Sequence, residues 1–356
     1  MMKALVLAGG TGSRLRPFSY SMPKQLVPVA NRPVLFHALD ALRAIGVTET
    51  GIIIGDSGDA IRAAVGDGGL FDMKVTFLPQ NEPRGLAHCV MIAREFLGDD
   101  DFVMFLGDNV FSAGLAAPLD DFRTHRPDAQ LVVSKVADPT AYGVVDMDAD
   151  GRVLALEEKP AVPSSDLAVT GAYFFTSRIH EAVRAITPSR RGELEITDAI
   201  QWLVAAGRNV RARAVAGYWK DTGTPADLLE CNEVLLENIT PGVHGTVDDT
   251  TRIYGPVLIE EGARVTGSVL AGPLIIGAGA TVEGSRVGPF ASIGAGCRLR
   301  DASVLYSILL EDASVDGLHT VHGSIIGKGG KASRGRRVAT AHRLMIGDHG
   351  QIEVPT

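Results

Sequence analysis

Between residues 253 and 326 apolar side chains return with a constant period of 17 residues. Ile259, Ile276, Ile293 and Leu310 make one such series, and Ile326 follows 16 residues later. Ile253, Leu270, Val287, Val304 and Val321 make a second, again 17 apart. A third runs through Val265, Val282 and Leu299, then meets Asp316 or slips to Val315. Within one period the apolar positions are spaced 6, 5 and 6 residues apart. A sandwich or bundle core has no reason to keep such a period. A stack of coils does, because each coil has three flat faces and buries its apolar side chains against the next coil. Glycine supplies the turns. Of 41 glycines, 20 fall in residues 242–356. The chain therefore reads as two domains, 1–241 and 242–356, and its 356 residues are too many for one core. The basic, polar stretch 328–343 reads as a solvated loop interrupting the repeat, ahead of a final strand at 344–354.

The first 241 residues follow another rule. Short apolar runs at 3–8, 51–55, 75–78 and 102–106 alternate with helical patterns at 32–45 and 85–97. That alternation predicts an α/β fold, a Rossmann-like doubly wound sheet with helices on both faces. Tyr142–Asp148 and Arg152–Glu158 flank the turn signal Asp148-Ala149-Asp150-Gly151, so an antiparallel hairpin should make the sheet mixed. In such sheets ligands bind beyond the carboxyl ends of the strands.

Composition excludes several classes. A net charge of −8 argues against nucleic acid as a partner. No apolar run is long enough to span a bilayer, and the N-terminus lacks a secretory pattern, so no membrane partner is expected. Three widely spaced cysteines, Cys89, Cys231 and Cys297, suit neither a disulfide framework nor a zinc site. A reducing cytoplasm fits.

The turn after the first strand reads Leu7-Ala8-Gly9-Gly10-Thr11-Gly12-Ser13-Arg14-Leu15-Arg16-Pro17. It matches neither the dinucleotide fingerprint nor the P-loop. Its glycines still allow backbone N–H groups to approach phosphate closely. Read alone it is equally a strand-to-helix turn. The continuation Met22-Pro23-Lys24-Gln25-Leu26-Val27-Pro28-Val29 changes that, as do the motifs that follow in order. These are Gln80 with Gly85-Leu86-Ala87, Leu106-Gly107-Asp108-Asn109, Tyr142-Gly143-Val144-Val145, Glu157-Glu158-Lys159-Pro160, Val169-Thr170-Gly171-Ala172-Tyr173, Gly192–Asp198 and Trp219-Lys220-Asp221-Thr222-Gly223-Thr224. The set resembles the sugar-1-phosphate nucleotidylyltransferases, and within them the glucose-1-phosphate thymidylyltransferases. The repeat resembles the hexapeptide-repeat, left-handed parallel β-helix, and the two together resemble the long-form enzymes of deoxysugar and antibiotic-sugar biosynthesis.

The resemblance implies a Mg2+-dependent reaction between a nucleoside triphosphate, dTTP favoured, and a sugar 1-phosphate. The sugar phosphate is itself an anionic nucleophile, so positioning and positive charge should do the work. It implies Arg14, Lys24, Asp108 and Asp221 as catalytic residues, with Asp108 and Asp221 on the metal. It places Gly9, Gly10 and Gly12 under phosphate, counts Leu7 and Thr11 among the substrate contacts, and sets Gln80 and Gly85 at the base. It places Asn109, Gly143, Glu158, Lys159 and Val169 around the sugar phosphate, with Tyr173 and Trp219 as further contacts. Read by residue type alone, Asp108 equally suits a helix cap, Glu157–Pro160 a charged strand end, and Tyr173 and Trp219 a core. Three other readings stay open: a sibling enzyme using UTP, GTP or ATP or another sugar or cyclitol phosphate; a bifunctional acetyltransferase using His319 or His322; and a non-catalytic nucleotide-sugar sensor. The oligomeric state is also open, a homo-oligomer included.

Overall fold

A computed structural model describes residues 2–10, 12–334 and 349–353. Contacts divide the chain into two compact units, both discontinuous in sequence. One comprises Met1–Thr11, Met22–Leu26 and Val34–Asp221; the other comprises Gly12–Ser21, Val27–Pro33 and Thr222–Thr356. Thr11 lies outside the described residues, as does most of the strand expected at 344–354. Its described part, 349–353, is not strand.

In the first unit a nine-stranded mixed sheet carries the core. Its spine is parallel: Lys3–Leu7 lies between Glu49–Ile54 and Phe102–Leu106, and Lys74–Pro79 extends it beyond Glu49–Ile54. The inner strands are nearly continuous apolar runs because helices cover both of their faces, whereas the edge strand Lys74–Pro79 is only partly buried. Val34–Ala44 is one such helix, burying Val34, Leu35, Ala38, Leu39 and Leu42. The helical pattern expected at 85–97 is realised as two pieces, Leu86–Ile92 and Arg94–Leu97. The long strand Leu167–Phe175 then runs antiparallel to Phe102–Leu106 and to Ala129–Lys135. The hairpin Gly143–Met147 and Val153–Glu158 forms one edge, closed by Asp148, whose Oδ1 accepts from the N–H groups of Asp150 at 3.0 Å and Arg152 at 2.9 Å. Two apolar clusters fill the two faces, one around Leu5, Phe102, Met104 and Phe175, the other around Val6, Leu39, Phe105 and Phe174.

In the second unit three parallel sheets of six, six and five strands make the coils, consistent with the left-handed parallel β-helix. The first coil strand is Gly242–Val243. Two apolar columns keep register as the spacing predicts: Leu270 opposite Val287 and Val304, and Val265 opposite Val282 and Leu299. The other column corrects the sequence reading. Ile293 pairs with Leu309 and not Leu310, and Leu309 with Ile326. The corner after Val304 is one residue shorter than the corresponding corner after Val287, so the column steps back by one. The third column accordingly passes to Val315 and not Asp316. The repeat also continues further than expected: Lys331–Ser333 pairs with Ser314–Asp316, so the first part of the stretch read as an interrupting loop is a coil strand. Only the small Ala332 marks its inward position, too weak an apolar signal to be seen beside four glycines and lysines. Ile259, Ile276, Ile293 and Leu309 are all 1% exposed or less. Each such side chain contributes about 1.5–3 kcal/mol of burial.

The helix Pro225–Leu236 belongs to this unit and is started by a capping box, Thr224 Oγ1 accepting from Asp227 N and Asp227 Oδ2 accepting from Thr224 N at 2.9 Å. From it Asn232, 1% exposed, stitches three segments together. Its Oδ1 accepts from Ala30 N at 2.9 Å and from Ser292 Oγ at 2.6 Å, and its Nδ2 donates to Phe290 O at 3.2 Å. Asn31 Nδ2 in turn donates to Ile293 O at 2.7 Å. These bonds draw residues 27–33 into a unit built mainly from residues two hundred positions later. Asn232→Ala strands buried donors and should lower stability by about 2–4 kcal/mol. A denaturant midpoint equal to that of the parent would contradict this. Among the described residues no helix is long and apolar enough to cross a membrane.

Candidate active site

Three parallel strands of the first unit end at one place, and the residues just beyond them are those singled out above. Leu7 closes its strand and its carbonyl accepts from Gly107 N at 3.0 Å, which seats the loop carrying Asp108 beside the glycine-rich turn. Gly9 lies close to Gln80: a Cβ at Gly9 would stand 3.5 Å from Gln80 Oε1. Gly10 faces the lysine: a Cβ there would stand 3.0 Å from Lys24 Cε. The contact at Gly10 is the tighter of the two, and at Gly9 an added methyl would meet ordinary van der Waals contacts.

Lys24 donates to Asp108 Oδ2 in an ion pair. The other carboxylate oxygen, Oδ1, accepts from Asn109 Nδ2 at 2.9 Å. Asn109 Oδ1 accepts from Trp219 Nε1 at 2.7 Å. An indole can only donate, so it fixes which end of the Asn109 amide faces Asp108. Asp108 and Asn109 are 8% and 2% exposed. A side chain at Gly171 would collide with Asn109, its Cβ 2.5 Å from Cγ, so this glycine makes room for the amide.

The strand Trp219–Asp221 pairs antiparallel with Asn109–Phe111, and its register sets Asp221 opposite Asn109. Directly opposed residues of an antiparallel pair lie about 4.5–5.5 Å apart at Cα. Two carboxylates far apart in sequence thus arrive one residue from register on adjacent strands. Among the described residues no group of three or more His, Cys, Asp and Glu side chains is placed to hold a metal. Two hard carboxylates still fit magnesium, which takes one or two protein carboxylates and fills its shell with phosphate oxygens and water.

Gly143, Glu158, Lys159 and Val169 lie together. Glu158 Oε2 accepts from Thr197 Oγ1 at 3.1 Å, and Oε1 is met by Arg191 Nη1 at 3.3 Å and Lys159 Nζ at 3.8 Å. A Cβ at Gly143 would lie 2.8 Å from Thr197 Cγ2 and 3.4 Å from Glu158 Oε2, so glycine keeps that face open. Lys159 holds a positive φ of 44°, unusual for a side-chain-bearing residue, with its N–H donating to Tyr142 O at 3.0 Å. Glu195, 4% exposed, accepts from Ser189 Oγ at 3.0 Å and pairs with Arg191; burial raises its carboxyl above the usual range. Tyr142 packs edge-on against Trp219, centroids 5.5 Å apart.

Gln80 Nε2 lies 3.5 Å from Gly85 O and 3.3 Å from His88 Nδ1. Gly85 has φ 100°, and a Cβ there would stand 2.4 Å from Leu194 O. Ala87 N donates to Leu194 O at 3.0 Å and Leu194 N to Arg84 O at 2.8 Å, a clamp that joins the loop around Gly85 to the segment bearing Glu195 and Thr197.

One expected contact falls elsewhere. Tyr173 is 4% exposed and stacked on Phe175 within the apolar core, where burial and the Glu158 charge raise its phenol well above the usual value. Gly12 and Arg14 belong to the second unit. Gly12 takes φ 65° and caps the short turn Ser13–Leu15 on which Arg14 is exposed. Thr11 is outside the described residues. Three residues not singled out in the sequence also belong to this constellation. Arg191 and Thr197 flank Glu158, and Gln25, 1% exposed, lies near Gly10, its Nε2 3.7 Å from a Cβ built there. All three adjoin or lie inside motifs quoted above, which was the available signal. No thiolate nucleophile is present at neutral pH in two of the cysteines: burial pushes Cys89 up to about 12 and Cys297 to about 11.

A Rossmann-like sheet whose strand ends bring a glycine turn, a lysine and two carboxylates together defines a nucleotidyl-transfer enzyme. The nucleotidyl transferase family matches residues 3–238, and the chain belongs to it. It is 52% identical over 353 residues to the glucose-1-phosphate thymidylyltransferase of Streptomyces griseus, and 49% identical over 354 residues to that of Streptomyces antibioticus, covering 99% of each chain in both comparisons. A Bacillus anthracis protein solved in complex with a sucrose superposes with TM-score 0.62 at 34% identity, over 68% of this chain and 98% of that one.

Proposed function

We propose that this enzyme joins dTTP to glucose 1-phosphate, giving dTDP-glucose and pyrophosphate. An oxygen of the sugar phosphate attacks the α-phosphorus in line. A new P–O bond forms, the bond to the bridging oxygen breaks, and its electron pair leaves with pyrophosphate. No proton need move, so no general base is required. The observation that carries this reading is the cluster at the strand ends: Asp108 held by Lys24 and Asn109, with Asp221 on the adjoining strand. Asp108 and Asp221 would hold Mg2+, which supplies positive charge to the triphosphate when bound. Lys24 adds charge beside them. Lys159 holds the sugar phosphate, with Arg191 beside it, and Glu158 accepts from sugar hydroxyls. Arg14 clamps the departing pyrophosphate with its planar fork. Residues 1–241 carry this chemistry, and 242–356 serve as architecture. Full-length likeness to two thymidylyltransferases supports thymine as the base and glucose 1-phosphate as the acceptor. Three buried cysteines suit a cytoplasmic setting.

The test offers glucose 1-phosphate and magnesium with dTTP, UTP, GTP and ATP in turn and follows pyrophosphate. Fastest release with dTTP is expected. Release with GTP or ATP alone, or only with another sugar phosphate, would make it a sibling enzyme, and no release with any triphosphate would make it a sensor.

A further inference from the structure

The amide of Gln80 faces two acceptors on one side and the glycine turn on the other. Its Nε2 lies 3.5 Å from Gly85 O and 3.3 Å from His88 Nδ1, and its Oε1 is directed to the Gly9 side, 3.5 Å from a Cβ built there. Turned over, the amide would set its oxygen against a carbonyl oxygen and a ring nitrogen lone pair. Each bond is long, so neither neighbour fixes the amide alone. Gly85 O is a backbone group and is an acceptor in every variant. The Cys89 thiol also meets this amide, but sulfur is a weak acceptor, so the side chain that biases the orientation most is His88, provided its Nδ1 carries no proton. Burial, then the nearby Arg84 guanidinium, lower its pKa from the ordinary value, against a smaller opposing pull from Glu82. The neutral ring with its proton on Nε2 leaves Nδ1 as the acceptor.

Resting on the thymidylyl-transfer reading, we infer that His88 is a positioning residue for base selection: by accepting from Gln80 Nε2 it locks the amide with Oε1 presented to the base. An amide oxygen only accepts. It suits the N3–H of a thymine or uracil imide and opposes cytosine, whose N3 is itself an acceptor. His88 then acts through Gln80 alone and touches neither phosphate nor sugar.

The experiment compares the parent with His88→Ala and His88→Asn, measuring kcat and KM for dTTP, dCTP and glucose 1-phosphate. Asn carries an acceptor oxygen where His carries Nδ1, and Ala carries none. In His88→Ala the KM for dTTP should rise about 3–10-fold, the cost of one lost hydrogen bond. The dTTP-over-dCTP ratio of kcat/KM should fall by about tenfold, while KM for glucose 1-phosphate stays at the parent value. His88→Asn should recover most of both losses. An unchanged dTTP-over-dCTP ratio in His88→Ala would overturn the inference. So would a His88→Asn variant no better than His88→Ala, or an equal rise in both substrates' KM, which is what a merely structural role predicts. A parent that is active with other triphosphates but not with dTTP would overturn the functional reading itself, and this inference with it.

Discussion

Replacing Asp108 with Asn should lower turnover by about 10²–10³-fold while the chain stays folded, the usual scale for removing one preorganised electrostatic group. Asn keeps the size of Asp and removes the charge. Lys24, which donates to Asp108 Oδ2, would then face an amide, and Asn109 Nδ2 would lose the charged acceptor now 2.9 Å away. A hard cation would also lose an anionic oxygen. The magnesium concentration giving half-maximal rate should therefore rise along with the fall in kcat. Asp221→Asn should behave alike, since its strand sets it opposite Asn109. The double variant should lose far less than the product of the two single losses, because residues acting on one charge fail together. Arg14→Ala should show a loss of the same order. Steady-state pyrophosphate release, with thermal unfolding as the control for folding, decides these points. Turnover near the parent rate in Asp108→Asn or Arg14→Ala would remove that residue from the mechanism.

Gly85→Ala should be among the most damaging single methyl groups in the first unit. Its φ of 100° disfavours any side chain, and the added Cβ would stand 2.4 Å from Leu194 O and 2.7 Å from Leu194 N. The obstruction is backbone on both counts and cannot swing aside. Strain and overpacking together should cost about 2–5 kcal/mol. Gly46→Ala separates the two terms, since Gly46 also has a positive φ, 82°, but nothing within 4 Å of its Cβ position. It should cost only about 1–2 kcal/mol. The kinetic signature of Gly85→Ala is less obvious. Leu194 is clamped to Arg84 and Ala87 and directly precedes Glu195, so pushing it away disturbs both ends of the cleft. KM should rise for the triphosphate and for the sugar phosphate together. A rise confined to the triphosphate would show that the clamp does not transmit the disturbance.

Period and chemistry were legible in the sequence to different depths. The β-helix could be read because the apolar positions of its central coils are buried for the same reason in each, although Ile253 at its start is 39% exposed. The step at Leu309 could not, since Leu309 and Leu310 are both apolar and both buried, and only strand pairing separates them. The mixed α/β class followed from alternating strands and helices, and the hairpin from Asp148–Gly151. The partnership of Asp108 with Asp221 rested on resemblance alone, because nothing local to Trp219-Lys220-Asp221 reveals which strand it will pair with. Likewise, no local pattern announces that Asn31 will donate to Ile293 O, so the membership of residues 12–21 and 27–33 in the second unit was invisible. Tyr173 illustrates the reverse case: its place in a family motif pointed to the pocket, whereas its burial and its stacking on Phe175 put it in the core.

The central claim is that a sugar phosphate displaces pyrophosphate from the α-phosphorus of dTTP at the Asp108–Asp221 cluster. Incubating the protein with glucose 1-phosphate, magnesium and dTTP radiolabelled at the α-phosphorus, then separating the products, tests it most directly. The label should appear in dTDP-glucose, in amount equal to the pyrophosphate released, and should be nearly absent with Asp108→Asn. Label recovered as dTMP or dTDP without sugar, or transferred equally well by Asp108→Asn, would contradict it.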